Sequence, residues 1–146
     1  MQTKPLALLT RSPLAGVFVA LAVIFTLSAL ISPYFLTPYN LSVIARGLAF
    51  VGLITIAQSM LMVLGELDLS LGVIGGLCGV ISGILMVRLG VEPYSAMLLA
   101  VLLGATLGLV NGLLVTMLRL HSLVLTIGTA GIFGGANLVL TRGVAI

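Results

Sequence analysis

The stretch Leu14–Ile31, LAGVFVALAVIFTLSALI, decides the fold class because it contains no charged residue. As an α-helix rising about 1.5 Å per residue, it would be about 27 Å long, close to the ~30 Å hydrocarbon core of a bilayer. It is longer than the roughly 7 to 15 residues of a secretory signal core, and further apolar runs follow it. The sequence therefore predicts an uncleaved first transmembrane helix.

The rest of the chain repeats this pattern. Short polar segments separate four further apolar stretches, which predict helices over 41–64 (with Asn40 as its N-cap), 71–89, 94–118 and 122–140. Of the 146 residues, 61% are hydrophobic and 6% are charged, compared with about 25% charged in soluble domains. The predicted fold is therefore all-α: one polytopic transmembrane helix bundle of about five helices, occupying the whole chain within a lipid bilayer.

Composition also excludes several classes of function. The net charge of +3 arises from scattered residues and forms no basic patch that would follow a nucleic acid backbone. The lone Cys78 lies in an apolar segment, and His121 has no acidic or cysteine neighbour in sequence. No nucleophile motif, metal-ligand spacing or phosphate-binding glycine loop is present in the sequence. We therefore expect no enzyme, no catalytic residue, no metal, no cofactor and no nucleic acid partner.

Small residues recur at four-residue intervals in the last three predicted helices. In lipid, helices associate through close backbone approach at such faces, because no hydrophobic force drives them together. We therefore expect these three helices to pack tightly. The glycines concerned are Gly72, Gly75, Gly76, Gly79, Gly83, Gly104, Gly108, Gly112, Gly131 and Gly135.

An acidic turn, Gly65-Glu-Leu-Asp-Leu-Ser-Leu-Gly72, separates the second and third helices. Its two carboxylates are costly near hydrocarbon unless they are solvated, capped or paired. One interpretation is that Asp68 or Ser70 caps the third helix, with both acids near the positive end of its dipole. The other is that the turn dips into a solute pathway, where broken helices meet a polar solute. The motif residues are Gly65, Glu66, Asp68, Ser70 and Gly72.

Neutral polar side chains also lie within the predicted spans. One role for them is hydrogen bonding between helices, typically worth under ~1 to 2 kcal/mol. The other is recognition of solute hydroxyls along a wet pathway, since polar residues in membranes tend to face the interior or water. The candidate pathway residues are Gln58, Asn111, Thr126, Thr129 and Asn137.

Three segments, taken together, resemble the ribose-type permeases of bacterial ABC importers. Tyr34–Leu41 is similar to the family's FLT..N.. segment, and the acidic turn is similar to its GGIDLSVG motif. Gly108–Val115 with Leu123–Thr129 is similar to G..NG.LV...PFI.TLGT. The order and spacing of these segments match along nearly the whole chain.

Two residues depart from the family pattern. Glu66 stands where the family usually has glycine, and Ser122 stands where it usually has proline. The turn therefore gains a charge, and the fifth helix begins differently. Such changes can alter solute preference or mark a divergent or decayed copy.

The resemblance implies a permease subunit in the bacterial inner (plasma) membrane. Such a subunit translocates a sugar or sugar-like solute with energy from a separate ATPase. The implied partners are a second permease subunit (in a homo- or heterodimer), cytoplasmic ATP-binding subunits and a periplasmic solute-binding protein. Because family members are longer, we expect this chain to be a truncated permease. It would correspond to the N-terminal half of the family, with the C-terminal half absent.

Two alternative functions remain open from the residues alone. An ion-coupled secondary carrier would use Glu66 or Asp68 as its coupling site and would depend on a proton gradient. A non-functional permease fragment would act at most as a membrane scaffold. The importer hypothesis instead requires ATP and a partner ATPase.

Overall fold

The computed structural model describes residues 13–144, which are helical apart from short connections. Each of the five helices is long and apolar enough to cross a membrane, so the predicted polytopic helical fold is confirmed. The boundaries agree with the predicted ones to within one helical turn. The helices are α1 (Pro13–Ile31), α2 (Pro38–Val63), α3 (Leu71–Leu89), α4 (Pro93–Leu118) and α5 (Ser122–Thr141).

Two compact units make up the chain, one ending at Val51 and the other starting at Gly52. In the first unit, α2 begins at Pro38, whose missing N–H suits the first helical position. The Thr37 hydroxyl oxygen accepts the backbone N–H of Asn40 at 3.4 Å. Asn40 instead donates its side-chain amide to the Phe35 carbonyl at 2.7 Å. The prediction that Asn40 is the N-cap is therefore wrong, because Thr37 occupies that position.

The second unit is built around α3, which packs against both α4 and α5. Its buried interior is unusually polar. Apolar side chains cover the outside instead; Leu53, Val87 and Val124 are 71%, 76% and 67% exposed. This is the distribution expected of helices in lipid, where polar groups turn inward and apolar groups face the hydrocarbon. The buried residues of this unit are Ile74, Leu77, Ala96, Ser70, Asn111, Ser122, Thr126 and Thr129.

Glycine contacts between the helices are fewer than predicted. A Cβ added at Gly104 would lie 3.2 Å from the Cys78 sulfur, and one at Gly76 would lie 3.9 Å from the Asn137 amide nitrogen. These two contacts agree with the predicted small-residue faces. Two packed helices touch only around their crossing point, so glycines farther along a stripe meet no neighbour. Within residues 13–144 the prediction is wrong for six glycines whose Cβ would meet nothing within 4 Å: Gly72, Gly79, Gly108, Gly112, Gly131 and Gly135.

Short connections determine which helix ends lie together. The residues that follow α3 and α4, Gly90 and Arg119, both adopt the left-handed conformation, with φ of 65° and 52°. Each connection reverses the chain within a few residues. The start of α3, the end of α4 and the start of α5 therefore share one end of the second unit, where the acidic turn also lies.

Candidate functional site

The acidic turn begins where α2 ends. Gly65 takes a left-handed φ of 79°, a conformation that side chains disfavour and glycine adopts readily. The Glu66 N–H then closes the helix end by donating to the Leu61 carbonyl at 3.0 Å. The next residues leave the helical path and run without regular structure to Ser70. Backbone N–H groups in this segment therefore need partners from other elements.

Two hydroxyls of α5 supply those partners. The Ser122 Oγ accepts the Leu67 N–H at 3.2 Å, and the Thr126 Oγ1 accepts the Leu69 N–H at 3.1 Å. The two hydroxyl residues are four positions apart, so they lie on one face of the helix. Both are almost completely buried, at 5% and 2% exposed. α5 therefore holds the turn through its main chain.

A hydrogen-bonded chain of three side chains links the turn to α4. The Asn111 amide nitrogen donates to the Ser70 hydroxyl at 2.8 Å. The Ser70 hydroxyl donates to Asp68 Oδ1 at 2.6 Å, and the Ser70 backbone N–H donates to the same oxygen at 2.7 Å. Ser70 and Asn111 are 0% and 2% exposed, so water does not compete for these bonds.

This chain of bonds replaces the predicted helix cap. Ser70 precedes α3, but its side chain accepts no hydrogen bond from the first turn of the helix. Its backbone is helical, with φ −86° and ψ −17°, whereas a capping residue normally adopts an extended conformation. The prediction of a Ser70 cap is therefore wrong. Asp68 binds the N–H of Ser70, one position before the helix, and stabilises the entry into α3 from there.

The part of the turn from Leu67 to Ser70 lies beside α4 and α5. Asn111, its contact on α4, is about two helical turns before the last residue, Leu118, which corresponds to about 10 Å along the axis. On α5 the contacts are the first residue of the helix, Ser122, and the residue one turn deeper, Thr126. Ser70 therefore lies about two turns before the end of α4, with the Asp68 carboxylate bonded to it.

A cavity of ≈ 400 Å³ lies against the turn. In the part of the chain that the structure describes, Glu66 and Asp68, both half-buried, are its only charged lining residues, and no Lys, Arg or His lines it. Across residues 13–144, no three His, Cys, Asp or Glu side chains come together as a metal site. The cavity therefore combines apolar walls with oxygen and amide groups. Its lining comprises Leu61, Leu64, Glu66, Leu67, Asp68, Leu71, Gly108, Asn111, Gly112, Val115, Thr116, Ser122 and Thr126.

The candidate pathway residues separate into two groups. Asn111 and Thr126 line the cavity, whereas Gln58, Thr129 and Asn137 do not. Gln58 is half-buried on α2, and the Thr129 hydroxyl donates to the Thr126 carbonyl at 3.3 Å. The buried Asn137 amide oxygen has no hydrogen-bond partner within residues 13–144.

The motif residues of the turn also differ in position. Glu66 and Asp68 reach the cavity, whereas Gly65, Ser70 and Gly72 are not among its lining residues. Gly65 shapes the backbone, Ser70 lies buried in the hydrogen-bonded chain, and Gly72 is exposed on α3.

Sequence reasoning noticed Ser122 only as a departure from the family pattern and did not expect its role in holding the turn. The signal was the pair of hydroxyl residues, Ser122 and Thr126, at helical spacing on a buried face. Their partners are backbone N–H groups more than fifty positions earlier in the chain, at Leu67 and Leu69. A side-chain pattern carries no information about such partners.

Comparison with known proteins gives one family. Residues 40–145 match the family described as "Branched-chain amino acid transport system / permease component". The D-allose transport system permease protein AlsC of Escherichia coli (strain K12) is 38% identical over 128 residues, which are 86% of this chain and 39% of that protein.

Two further relatives carry a different name. The autoinducer 2 import system permease protein LsrC of Photorhabdus luminescens is 32% identical over 125 residues, covering 86% of this chain and 38% of that protein. LsrC of Yersinia pseudotuberculosis serotype O:3 (strain YPIII) is 32% identical over 124 residues, covering 85% and 35%. This chain thus spans well under half the length of these curated relatives. No solved structure matches it significantly.

Proposed function

Because this chain belongs to the family of branched-chain amino acid transport system permease components, we propose that it is part of the permease subunit of a bacterial ABC importer. It is a multi-pass membrane protein, and the membrane we propose for it is the bacterial inner membrane. In this role it forms part of the path by which a sugar or sugar-like solute crosses that membrane. Energy comes from a separate ATPase subunit.

The position of the acidic turn is the observation that supports this function most directly. Glu66 and Asp68 lie beside α4 and α5, and both line a cavity. Carboxylates inside a membrane bundle are costly, and they typically mark the path of a solute or ion. In many transporters, interrupted helices place backbone groups and helix ends at such a path. The connection between α2 and α3 likewise leaves non-helical backbone and the first residue of α3, Leu71, beside the cavity.

The proposed solute class comes from the relatives. One relative at 38% identity is named for D-allose transport, and others at 32% identity are named for autoinducer 2 import. A sugar or sugar-like solute fits both the D-allose name and the carboxylate, hydroxyl and amide groups set in the apolar walls of the cavity.

The proposed partners follow from the same family. They are a second permease subunit, cytoplasmic ATP-binding subunits and a periplasmic solute-binding protein. The 146-residue sequence contains no glycine-rich loop followed by lysine, so ATP hydrolysis is assigned to the ATP-binding subunits. The family match does not favour an ion-coupled carrier or an inert scaffold.

Uptake into proteoliposomes tests this proposal. The protein that contains this chain is reconstituted with the ATPase and solute-binding protein encoded beside it, and uptake of labelled D-allose is measured. We expect uptake that requires ATP and the binding protein, and none with an ATPase whose phosphate-binding lysine is replaced. Uptake driven by a proton gradient without the ATPase would establish the carrier instead, and no uptake under any condition would favour the scaffold.

A further inference from the structure

We infer that the cavity beside the acidic turn is a binding subsite for a neutral polyhydroxylated solute, in which the Asn111 amide oxygen accepts a hydrogen bond from a solute hydroxyl. This inference rests on the proposed transport function and adds a location, a ligand chemistry and a specificity-determining residue to it. Three observations carry it: the orientation of the Asn111 amide, the unused hydrogen-bonding groups at the cavity and the charge of its lining.

The orientation of the Asn111 amide follows from its neighbours. A serine hydroxyl has one proton, and the proton of Ser70 is committed to the Asp68 carboxylate at 2.6 Å. Ser70 Oγ can therefore only accept from Asn111, and the amide must present its nitrogen there, at 2.8 Å. The amide oxygen consequently points away from Ser70, and exchanging the two amide atoms would remove this bond.

The Asn111 amide oxygen lacks a hydrogen-bond donor. Asn111 lines the cavity and is 2% exposed, and its Oδ1 has no hydrogen-bond partner within residues 13–144. Buried polar atoms in folded proteins nearly always have a partner, and an exception points to a missing ligand or water. The oxygen is covered in this structure, so the proposed binding requires a lining side chain to move aside before a ligand reaches it.

A donor accompanies this acceptor at the cavity. The Ser122 hydroxyl accepts the Leu67 N–H, and its own proton has no acceptor within the described residues. Asn111 and Ser122 both line the cavity. A sugar hydroxyl is both a donor and an acceptor, so neighbouring hydroxyls of one solute can satisfy both groups.

The charge and size of the cavity narrow the ligand class. Among the described lining residues, the only charged groups are the carboxylates of Glu66 and Asp68, which repel a solute carboxylate and accept hydrogen bonds from hydroxyls. Within residues 13–144, the lining holds no cation to pair with the carboxylate of an amino acid. Its volume of ≈ 400 Å³ falls within the roughly 300 to 1,000 Å³ of small-molecule sites. A neutral polyol therefore fits better than an amino acid.

Two matched pairs of variants separate a ligand role from a structural role. Asn111→Ala and Ser70→Ala both break the Asn111–Ser70 bond, but only Asn111→Ala removes the amide oxygen. Gly112→Val adds bulk at a cavity-lining position where a Cβ meets nothing within 4 Å. Gly128→Val adds the same bulk at an equally open α5 position that does not line the cavity.

The measurements are D-allose binding to the purified protein by calorimetric titration and ATP-dependent D-allose uptake by the reconstituted importer. Leucine and putrescine serve as zwitterionic and cationic probes. We expect D-allose to bind, and Asn111→Ala to bind it about tenfold more weakly than Ser70→Ala. We also expect Gly112→Val to weaken binding relative to Gly128→Val.

Several results would overturn the inference. Equal affinities of Asn111→Ala and Ser70→Ala would assign the amide oxygen to a bound water, and equal affinities of the two valine variants would place the ligand elsewhere. Tighter binding of leucine or putrescine than of D-allose would contradict the neutral ligand class. If ATP-dependent D-allose uptake by the wild type accompanies any of these results, the proposed function stands while the subsite fails. D-allose binding that depends on Asn111, without ATP-dependent uptake, would support the subsite and contradict the proposed function.

Discussion

Replacing Thr126 by valine tests whether α5 holds the acidic turn in place. Valine has nearly the same shape as threonine but cannot accept the Leu69 N–H, which binds the Thr126 hydroxyl oxygen at 3.1 Å. Thr126 is 2% exposed, so water has little access to replace the lost acceptor. A buried donor left without a partner costs about 1 to 3 kcal/mol, which corresponds to about 5- to 150-fold more frequent local opening.

Hydrogen exchange of the amides in residues 66–70 measures this opening directly. Thr126→Ser is the matched control, because it keeps the hydroxyl and loses only a methyl group. We expect faster exchange of the Leu69 amide in Thr126→Val and near wild-type exchange in Thr126→Ser. Unchanged protection in Thr126→Val, or equal acceleration in both variants, would refute the role assigned to the hydroxyl.

Three further predictions concern the same unit, each measured by thermal unfolding of the purified protein. Gly104→Leu should lower the unfolding temperature, because even a Cβ there would lie 3.2 Å from the Cys78 sulfur. The control Gly108→Leu should be tolerated, because a Cβ at Gly108 meets nothing within 4 Å. Equal effects of the two variants would contradict the contact between α3 and α4. Gly65→Ala should destabilise by about 1 to 2 kcal/mol because φ is 79° there, and an unchanged unfolding temperature would argue against the left-handed turn. Asp68→Ala should destabilise the protein more than Asp68→Asn, since asparagine keeps an oxygen that can accept from the Ser70 backbone N–H and hydroxyl. The opposite order would show that the charge of Asp68 matters more than its role as an acceptor.

Part of the candidate site was predictable from residue types alone. Asn111 and Thr126 stood out because polar side chains are rare in apolar spans, and both line the cavity. Glu66 and Asp68 stood out for the same reason. Their partners were not predictable, since Asn111 binds Ser70 across forty-one positions of sequence and Thr126 binds a main-chain group. The expected Ser70 cap failed because the Ser70 hydroxyl donates to Asp68, two positions earlier, and accepts from Asn111 on α4 instead of capping α3.

The sequence by itself determined the number of helices, their approximate ends and their membrane character. Hydropathy acts on each segment independently, and a bilayer allows few structures other than helices for long apolar runs. Only the tertiary structure decided which glycines touch a neighbour, where the acidic turn lies and what it binds. Those features depend on where helices cross and on backbone hydrogen bonds between distant segments. In this protein the short connections bring α4 and α5 against the start of α3, and the buried hydroxyl and amide groups of those two helices then hold the turn inside the unit.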